Sequence, residues 1–232
     1  MNDKMKRTPK LLIFLDVISA LGLIGALLLV FLFTPVEKTM GLVQKVFYFH
    51  VASTWMGMLG FLLATVASIG YLKTKNLDWD AAAIAGVEIG MVFVLIGIIT
   101  GSIWARPIWN TWWTWDPRLT TTLIMELIYA AYFILRSNLG EIRQRARLSA
   151  VYAIAGFITV PLTFVSIRIF RSIHPVIIGG SSSGMFSMSG NMLITFVSSL
   201  AAFTIFFASV FWHRYILERD QRAANLQLPE ED

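Results

Sequence analysis

The sequence predicts an all-α integral membrane protein, a bundle of six transmembrane helices with an extracytoplasmic tryptophan-rich loop. The 232 residues are 56% hydrophobic and only 14% charged, and the mean hydropathy is +0.69. A soluble domain of this composition would expose far too much apolar surface. Six apolar runs each approach the roughly 20 helical residues that a bilayer core requires. The basic residues lie in short connections beside these runs, as they do in multi-pass membrane proteins.

The six predicted spans belong to a single membrane domain that covers residues 1–232. They run approximately over residues 11–33, 49–72, 82–104, 119–135, 148–169 and 190–212. A basic head precedes the first span, but the apolar run is too long for a signal peptide and lacks a small-residue cleavage site, so we predict a retained anchor. The glycine- and serine-rich stretch 179–184 predicts a mobile outer loop. The acidic end, residues 220–232, predicts a disordered tail.

The distribution of lysine and arginine predicts the orientation in the membrane. An even number of spans leaves both termini on one side, and that side carries 13 of the 19 basic residues. Because cytoplasmic loops are enriched in these residues, both termini are predicted to be cytoplasmic. The net charge of +5 is then a topology signal, which disfavours nucleic acid as a partner.

The absence of cysteine excludes several kinds of site. Disulfides, thiolate haem ligands, iron–sulfur clusters and cysteine zinc sites all require a residue that the sequence lacks. We also find neither a P-loop nor a set of residues suited to catalysis, and we expect that the chain is not an enzyme.

Tryptophans are concentrated between the third and fourth spans, where five of the eight lie within twelve residues. They are Trp104, Trp109, Trp112, Trp113 and Trp115. If the segment is helical, Trp109, Trp112 and Trp113 share one face and form a flat aromatic shelf. Membrane proteins often place a tryptophan or two at a helix end, at the level of the lipid headgroups. Five in one loop favour instead a surface that holds a large planar ligand.

Polar residues beside the tryptophans suggest two further roles. Asp116 and Pro117 suit the N-cap and the first helical position of span four. Arg106 and Arg118 flank the tryptophans, where a guanidinium would bind either the carboxylates of a ligand or a lipid phosphate. Arg118 is the better placed, with Arg106 or Arg171 as a helper, because the helix N-terminus adds positive potential.

The three histidines are divided between the two sides of the membrane. His50 opens the second span and His174 follows the fifth, so span parity assigns both to the tryptophan side and His213 to the other. Two neutral imidazoles can hold a haem iron from opposite axial sides. A porphyrin is flat, apolar in its body and carboxylated at one edge, and zinc would need more ligands than this side offers. Haem, in the form of haem b, is therefore the predicted ligand.

Span three carries four regularly spaced glycines, and spans three and four each contain a glutamate. The spacing of Gly86, Gly90, Gly97 and Gly101 predicts the close approach of a neighbouring helix. Glu88 and Glu126 are functional candidates by default, because an ionisable group inside a membrane is costly. Glu126 either borders the outer site or forms an interhelical hydrogen bond.

The tryptophan segment, residues 104–120 with WWTWDPRLT at its centre, closely resembles the signature of the haem-handling proteins of cytochrome c maturation. Six spans and two outer histidines narrow the resemblance to the CcmC family. The resemblance covers nearly the whole chain. The chain departs from the family at residues 52–53, where Pro-Ala is common, and at Ala105 and Asn110, near which glycine is common.

The resemblance implies a protein of the bacterial inner membrane that binds haem at its outer face. It further implies delivery of haem to the periplasmic chaperone CcmE, in a complex with the ABC transporter subunits CcmA and CcmB and the small membrane protein CcmD. His50 and His174 would then be the axial ligands, and the tryptophan segment would hold the haem edge and meet the chaperone.

Two other classes of membrane protein compete with this interpretation. An electron-transfer cytochrome would need histidine pairs at two depths, whereas only one outward pair can be assembled here. A permease subunit of an ABC exporter, without its own haem site, would explain six spans but neither the tryptophans nor the histidines. Absorption spectra of the oxidised and reduced protein would distinguish the three classes.

Overall fold

The computed structural model describes residues 9–174 and 188–225, most of which are helical. The α-helices are α1 Lys10–Leu28, α2 Val46–Thr74, α3 Leu77–Trp109, α4 Pro117–Ser137, α5 Ile142–Gly156, α6 Thr159–Ile169 and α7 Gly190–Asn225. By length and composition, these described residues contain six helical segments able to cross a membrane, one of them formed by α5 and α6 together. The predicted all-α architecture with six membrane-spanning segments is confirmed.

The last helix is longer than the sequence predicted. Helix α7 continues to Asn225, so residues 220–225, which were expected to be disordered, form its final turns. Their helical state has a polar cause, because Arg222 donates hydrogen bonds to the carboxylate of Asp80 at 2.6 Å and to the carbonyl of Leu77 at 3.2 Å. The end of the predicted tail, the predicted loop 179–184 and residues 1–8 of the basic head lie outside the described residues.

Helices α2 and α3 form the centre of the bundle through close backbone contact. A Cβ atom added to Gly60 would lie 2.6 Å from the carbonyl oxygen of Gly86 and 2.8 Å from the Cα of Gly90, so only glycine permits this approach. The ring of Phe61 stacks on Tyr129 of α4, with centroids 3.7 Å apart. The predicted packing role of Gly86 and Gly90 is therefore confirmed.

The fifth span is divided into two helices, α5 and α6. Pro161 has no N–H and cannot donate to the carbonyl of Phe157, which removes one hydrogen bond at the point where α5 ends. Helix α6 starts afresh at Thr159 and packs against α4. The break gives the half of this span farther from the chain termini its own direction, and α6 contributes side chains to the cavity described below.

Ion pairs, one set of them centred on a buried carboxylate, join the helices at the end of the bundle that carries the chain termini. Asp80 is 2% exposed and accepts hydrogen bonds from Arg136 at 2.8 and 3.0 Å as well as from Arg222. Glu88 of α3 pairs with Arg214 of α7, whose Nη2 lies 2.8 Å from the carboxylate. These contacts tie α3, α4 and α7 together far from the tryptophan segment.

Candidate ligand-binding site

A cavity of about 560 Å³ lies at the end of the bundle opposite the termini. Side chains from α2, α3, α4, α6 and α7 and from the tryptophan segment form its mainly apolar walls, and its size is typical of small-molecule and cofactor sites. The residues predicted to form the haem site are the two outer histidines, the five tryptophans of the loop, Asp116 and Arg118, and seven of these nine line the cavity. They are His50, Trp104, Trp109, Trp112, Trp113, Arg118 and His174.

His50 lies near the start of α2, where the backbone of α3 determines its tautomer. Its Nδ1 is 2.9 Å from the carbonyl oxygen of Gly97. Because a carbonyl only accepts hydrogen bonds, Nδ1 carries the proton and Nε2 of the neutral ring keeps its lone pair. A backbone carbonyl on one ring nitrogen is a common way to orient a histidine that binds metal through the other.

Two glycines of α3 provide the space for side chains of α2 in this half of the bundle. A Cβ atom on Gly101 would lie 2.9 Å from Cε1 of His50, and one on Gly97 would lie 2.5 Å from Oγ1 of Thr54. The glycine spacing in the sequence predicted helix contact. In the half of the bundle opposite the chain termini, the same spacing accommodates an imidazole and a hydroxyl that line the cavity.

His174 reaches the cavity from the segment that follows α6. The backbone N–H of His174 donates to Oγ of Ser172 at 3.0 Å, and Ser172 in turn donates to Asp116 at 3.0 Å. Asp116 also accepts from the N–H of Ile173 at 2.8 Å and from that of Arg118 at 2.9 Å. The predicted N-cap role of Asp116 is confirmed. Asp116 does not line the cavity, however, and lies behind His174 as a support for its segment.

The tryptophan segment is not a continuous helix. Helix α3 runs past Trp104 to Trp109, and Asn110 then adopts a left-handed conformation with φ 54°, which ends the helix. The prediction that Trp109, Trp112 and Trp113 share one helical face is therefore wrong. All three nevertheless line the cavity, because the chain turns at Asn110 and the non-helical stretch brings the later tryptophans back to it.

The tryptophans differ in exposure. Trp104 is 7% exposed, and its ring centroid lies 6.0 Å from that of His50. Its Nε1 is buried and has no acceptor among the residues that the structure describes. Trp112 and Trp115 are 59% and 74% exposed. Trp115 packs edge-on against Trp113, with centroids 5.8 Å apart, and does not line the cavity.

Two arginines line the cavity, and only one was predicted to do so. The guanidinium of Arg118 lies 4.9 Å from the ring of Phe164 in α6. Arg106 instead hydrogen-bonds the side chain of Asn110 and does not line the cavity. The second cavity arginine is Arg168, in the last turn of α6. Span parity already places Arg168 on the same side as the tryptophans, but the direction of its side chain depends on the break before α6.

The apolar walls contain further residues that sequence reasoning missed. They are contributed mainly by α2, α6 and α7, and include Trp55, Met58, Phe164, Ile167, Phe196, Val197 and Leu200. In a membrane helix such residues occur on every face, so nothing in the sequence distinguishes the cavity side. Glu126, which was considered as a border of the site, does not line the cavity, and its Oε2 is buried without a partner in the described part of the chain.

Comparison with known proteins gives consistent matches. The family model CcmC, described as heme exporter protein C, matches residues 2–227. The heme exporter protein C of Bradyrhizobium diazoefficiens is 31% identical over 180 residues, which cover 76% of this chain and 66% of that protein. The Rhodobacter capsulatus protein of the same name is 36% identical over 152 residues, covering 66% and 63%. A putative cytochrome c biosynthesis ccmC-like mitochondrial protein of Marchantia polymorpha is 28% identical over 181 residues, covering 77% and 72%. The chain thus spans slightly less than two thirds of the first two relatives.

Proposed function

The chain belongs to the CcmC family of heme exporter proteins, and on that premise we propose that it binds haem in the outer cavity and passes it to a periplasmic chaperone during maturation of c-type cytochromes. One observation carries the proposal. His50 and His174, which are far apart in the sequence, line one apolar cavity together with five tryptophans. The names of the relatives, heme exporter protein and cytochrome c biosynthesis protein, support the same role.

The two histidines are proposed as the axial ligands of the iron. His50 is suited to this role because the Gly97 carbonyl holds the proton on Nδ1, which leaves the Nε2 lone pair for a metal. His174 supplies the second imidazole from the segment that follows α6. With no cysteine in the chain, thiolate ligation is excluded, and bis-histidine ligation is the arrangement that these residues support.

The remaining walls match the other parts of a haem molecule. Trp104, Trp109, Trp112 and Trp113 offer aromatic surface for the porphyrin, and aromatic contacts favour flat apolar ligands. Among the described residues the buried Nε1 of Trp104 has no acceptor, as expected where a ligand supplies one. Arg118 and Arg168, which both line the cavity, suit the propionates because a guanidinium binds carboxylates through two parallel hydrogen bonds.

The proposed delivery uses the exposed side of the tryptophan segment. Trp112 lines the cavity and is also more than half exposed, so it connects the bound ligand with the outer surface. Trp115 packs against Trp113 and is still more exposed. We infer that the chaperone CcmE docks on these side chains, because exposed aromatic patches are typical of interaction sites.

The wider setting follows the same proposal. The chain works with CcmA, CcmB and CcmD in the bacterial inner membrane, and haem b is the form carried. Both termini face the cytoplasm, as the 13 basic residues on their side indicate. The cavity then opens on the periplasmic side, where the chaperone would receive its cargo.

The decisive experiment is an absorption spectrum of the detergent-purified chain from cells supplied with haem. We expect a low-spin haem spectrum for the wild type, weaker haem retention for each single change His50→Ala and His174→Ala, and no specific haem for the double variant. His213→Ala is the matched control, since His213 pairs with Asp16 near the termini. An unchanged spectrum in the double variant would disprove the ligand assignment.

A further inference from the structure

Asp116 is a buried carboxylate, 7% exposed, that accepts hydrogen bonds from two separate segments of the chain. Its Oδ1 accepts from the backbone N–H of Arg118 at 2.9 Å, which caps helix α4. The same oxygen accepts from the hydroxyl of Ser172 at 3.0 Å, and Oδ2 accepts from the N–H of Ile173 at 2.8 Å. Two of the three bonds therefore cross from the tryptophan segment to the segment after α6.

The crossing bonds hold the residues that present His174 to the cavity. Helix α6 ends at Ile169, and Phe170 is already extended, with φ −108° and ψ 153°. No helical hydrogen-bond ladder fixes the chain from there to His174. The hydroxyl of Ser172 instead connects Asp116 with His174, since it donates to the carboxylate of Asp116 and accepts from the backbone N–H of His174 at 3.0 Å.

A helix cap alone would not require this arrangement. Asparagine caps helices as well as aspartate does, because one side-chain oxygen is enough to accept a backbone N–H. Here both oxygens of Asp116 accept, and an ionised carboxylate forms stronger hydrogen bonds than an amide. Among the residues that the structure describes, the second oxygen bonds only the segment that leads to His174.

We propose that Asp116 is a positioning residue, whose carboxylate holds the segment 172–174 so that His174 supplies the second axial ligand to a bound haem iron. This inference rests on the proposed function, and it assigns to Asp116 a task distinct from contact with the ligand. His50 is positioned independently, by Gly97 and Gly101 of α3. Loss of the Asp116 contacts should therefore remove one ligand and leave the other.

The test variants separate the cap from the crossing bonds. Asp116→Asn keeps an oxygen for the N–H of Arg118 but turns an NH2 group toward the N–H of Ile173, so a donor meets a donor. Ser172→Ala removes the connecting hydroxyl and leaves helix α4 untouched. The matched control is Glu141→Gln, the same carboxylate-to-amide change at the N-cap of α5, which accepts from Arg143 and Gln144 near the termini.

The measurement is the spin state of haem bound to each purified variant, by absorption and electron paramagnetic resonance, with and without added imidazole. Asp116→Asn and Ser172→Ala are expected to retain haem through His50 but to shift most of it from low spin to high spin. Free imidazole should restore the low-spin signal by replacing His174, a rescue that general misfolding would not permit. Wild type and Glu141→Gln should be low spin without imidazole.

His174→Ala distinguishes the two ways in which the inference can fail. If His174→Ala becomes high spin while Asp116→Asn and Ser172→Ala stay low spin, the positioning role is wrong and the proposed ligands stand. If His174→Ala itself stays low spin, His174 is not a ligand, and both the ligand assignment and the positioning role are wrong. A third outcome is that Asp116→Asn and Ser172→Ala both lose the low-spin signal and that imidazole does not restore it. Asp116 would then be a structural residue and not a positioning residue.

Discussion

The imidazole of His50 lies so close to Gly101 that a Cβ atom at position 101 would fall 2.9 Å from the ring's Cε1. One turn earlier in α3, the Gly97 carbonyl lies 2.9 Å from Nδ1 of the same ring. Helix α3 thus orients His50 in two ways. The carbonyl of Gly97 accepts its hydrogen bond, and Gly101 leaves room for the ring because it has no side chain. The location of the imidazole is a property of the packed α2–α3 pair and not of a loop.

Gly101→Ala is expected to displace the His50 ring and weaken haem retention. Overpacking of this kind typically costs about 1–3 kcal/mol, enough to lower affinity roughly 5- to 150-fold if the displaced ring carries the whole cost. The measurement is haem bound per purified chain across a haem titration. Gly25→Ala on α1 is the control, because no atom lies within 4 Å of the added methyl group. Equal retention by both variants would show that the contact does not orient a ligand.

Arg118→Ala is expected to lower haem occupancy less than the loss of either histidine does. The reason is that Arg118 would contact a propionate at the edge of the haem, whereas the histidines bind the iron. Arg118→Lys should rescue only part of the defect, since an ammonium keeps the charge but not the two parallel hydrogen bonds. Arg219→Ala is the control, because Arg219 pairs with Asp220 near the chain termini and does not line the cavity.

The propionate contact is tested by repeating the Arg118→Ala titration with haem whose propionates are esterified. The wild type and the variant should then bind equally, because the ester removes the carboxylate that the guanidinium would recognise. A defect of the same size with both forms of haem would mean that Arg118 acts in some other way, such as through its contact with Phe164.

Replacement of Trp112, Trp113 and Trp115 by alanine is expected to reduce haem transfer to the chaperone more strongly than it reduces insertion of the chain into the membrane. Insertion depends on the hydrophobicity of the spans, which the change leaves intact. The measurements are the amount of the chain in membranes and the amount of haem bound to co-expressed CcmE. Trp79→Ala serves as the control, because Trp79 is 41% exposed and lies at the opposite end of α3. Normal haem delivery by the triple variant would make these tryptophans an ordinary interfacial belt.

Asp80→Ala is expected to destabilise the bundle strongly without altering the cavity. The change leaves the buried Arg136 without its carboxylate, and breaking one side of a buried ion pair typically costs about 3–5 kcal/mol. Thermal unfolding in detergent would measure the effect. Arg219→Ala removes a half-exposed pair with Asp220 and should cost about 0–1 kcal/mol. Comparable midpoints for the two variants would contradict the assigned role of Asp80.

The sequence by itself determined the class of molecule, the number of spans and the side on which the tryptophans and two histidines meet. These properties depend on the hydrophobicity of each segment and on the order of the spans along the chain. Both can be read from the sequence without knowing which helices pack together. The N-cap role of Asp116 was also predictable, because a cap depends on neighbours one turn away. The extension of α7 was not, since its last turns are joined by Arg222 to Asp80, a residue distant in the chain.

Only the tertiary structure decided which polar groups meet at the cavity and how. Arg168 lines it and Arg106 does not, because the break before α6 and the turn at Asn110 determine the directions of these side chains. The contact between Gly101 and the ring of His50 and the hydrogen bond between Ser172 and Asp116 were likewise decided by the tertiary structure. Each joins residues from separate helices or loops, so its geometry exists only after the helices have packed.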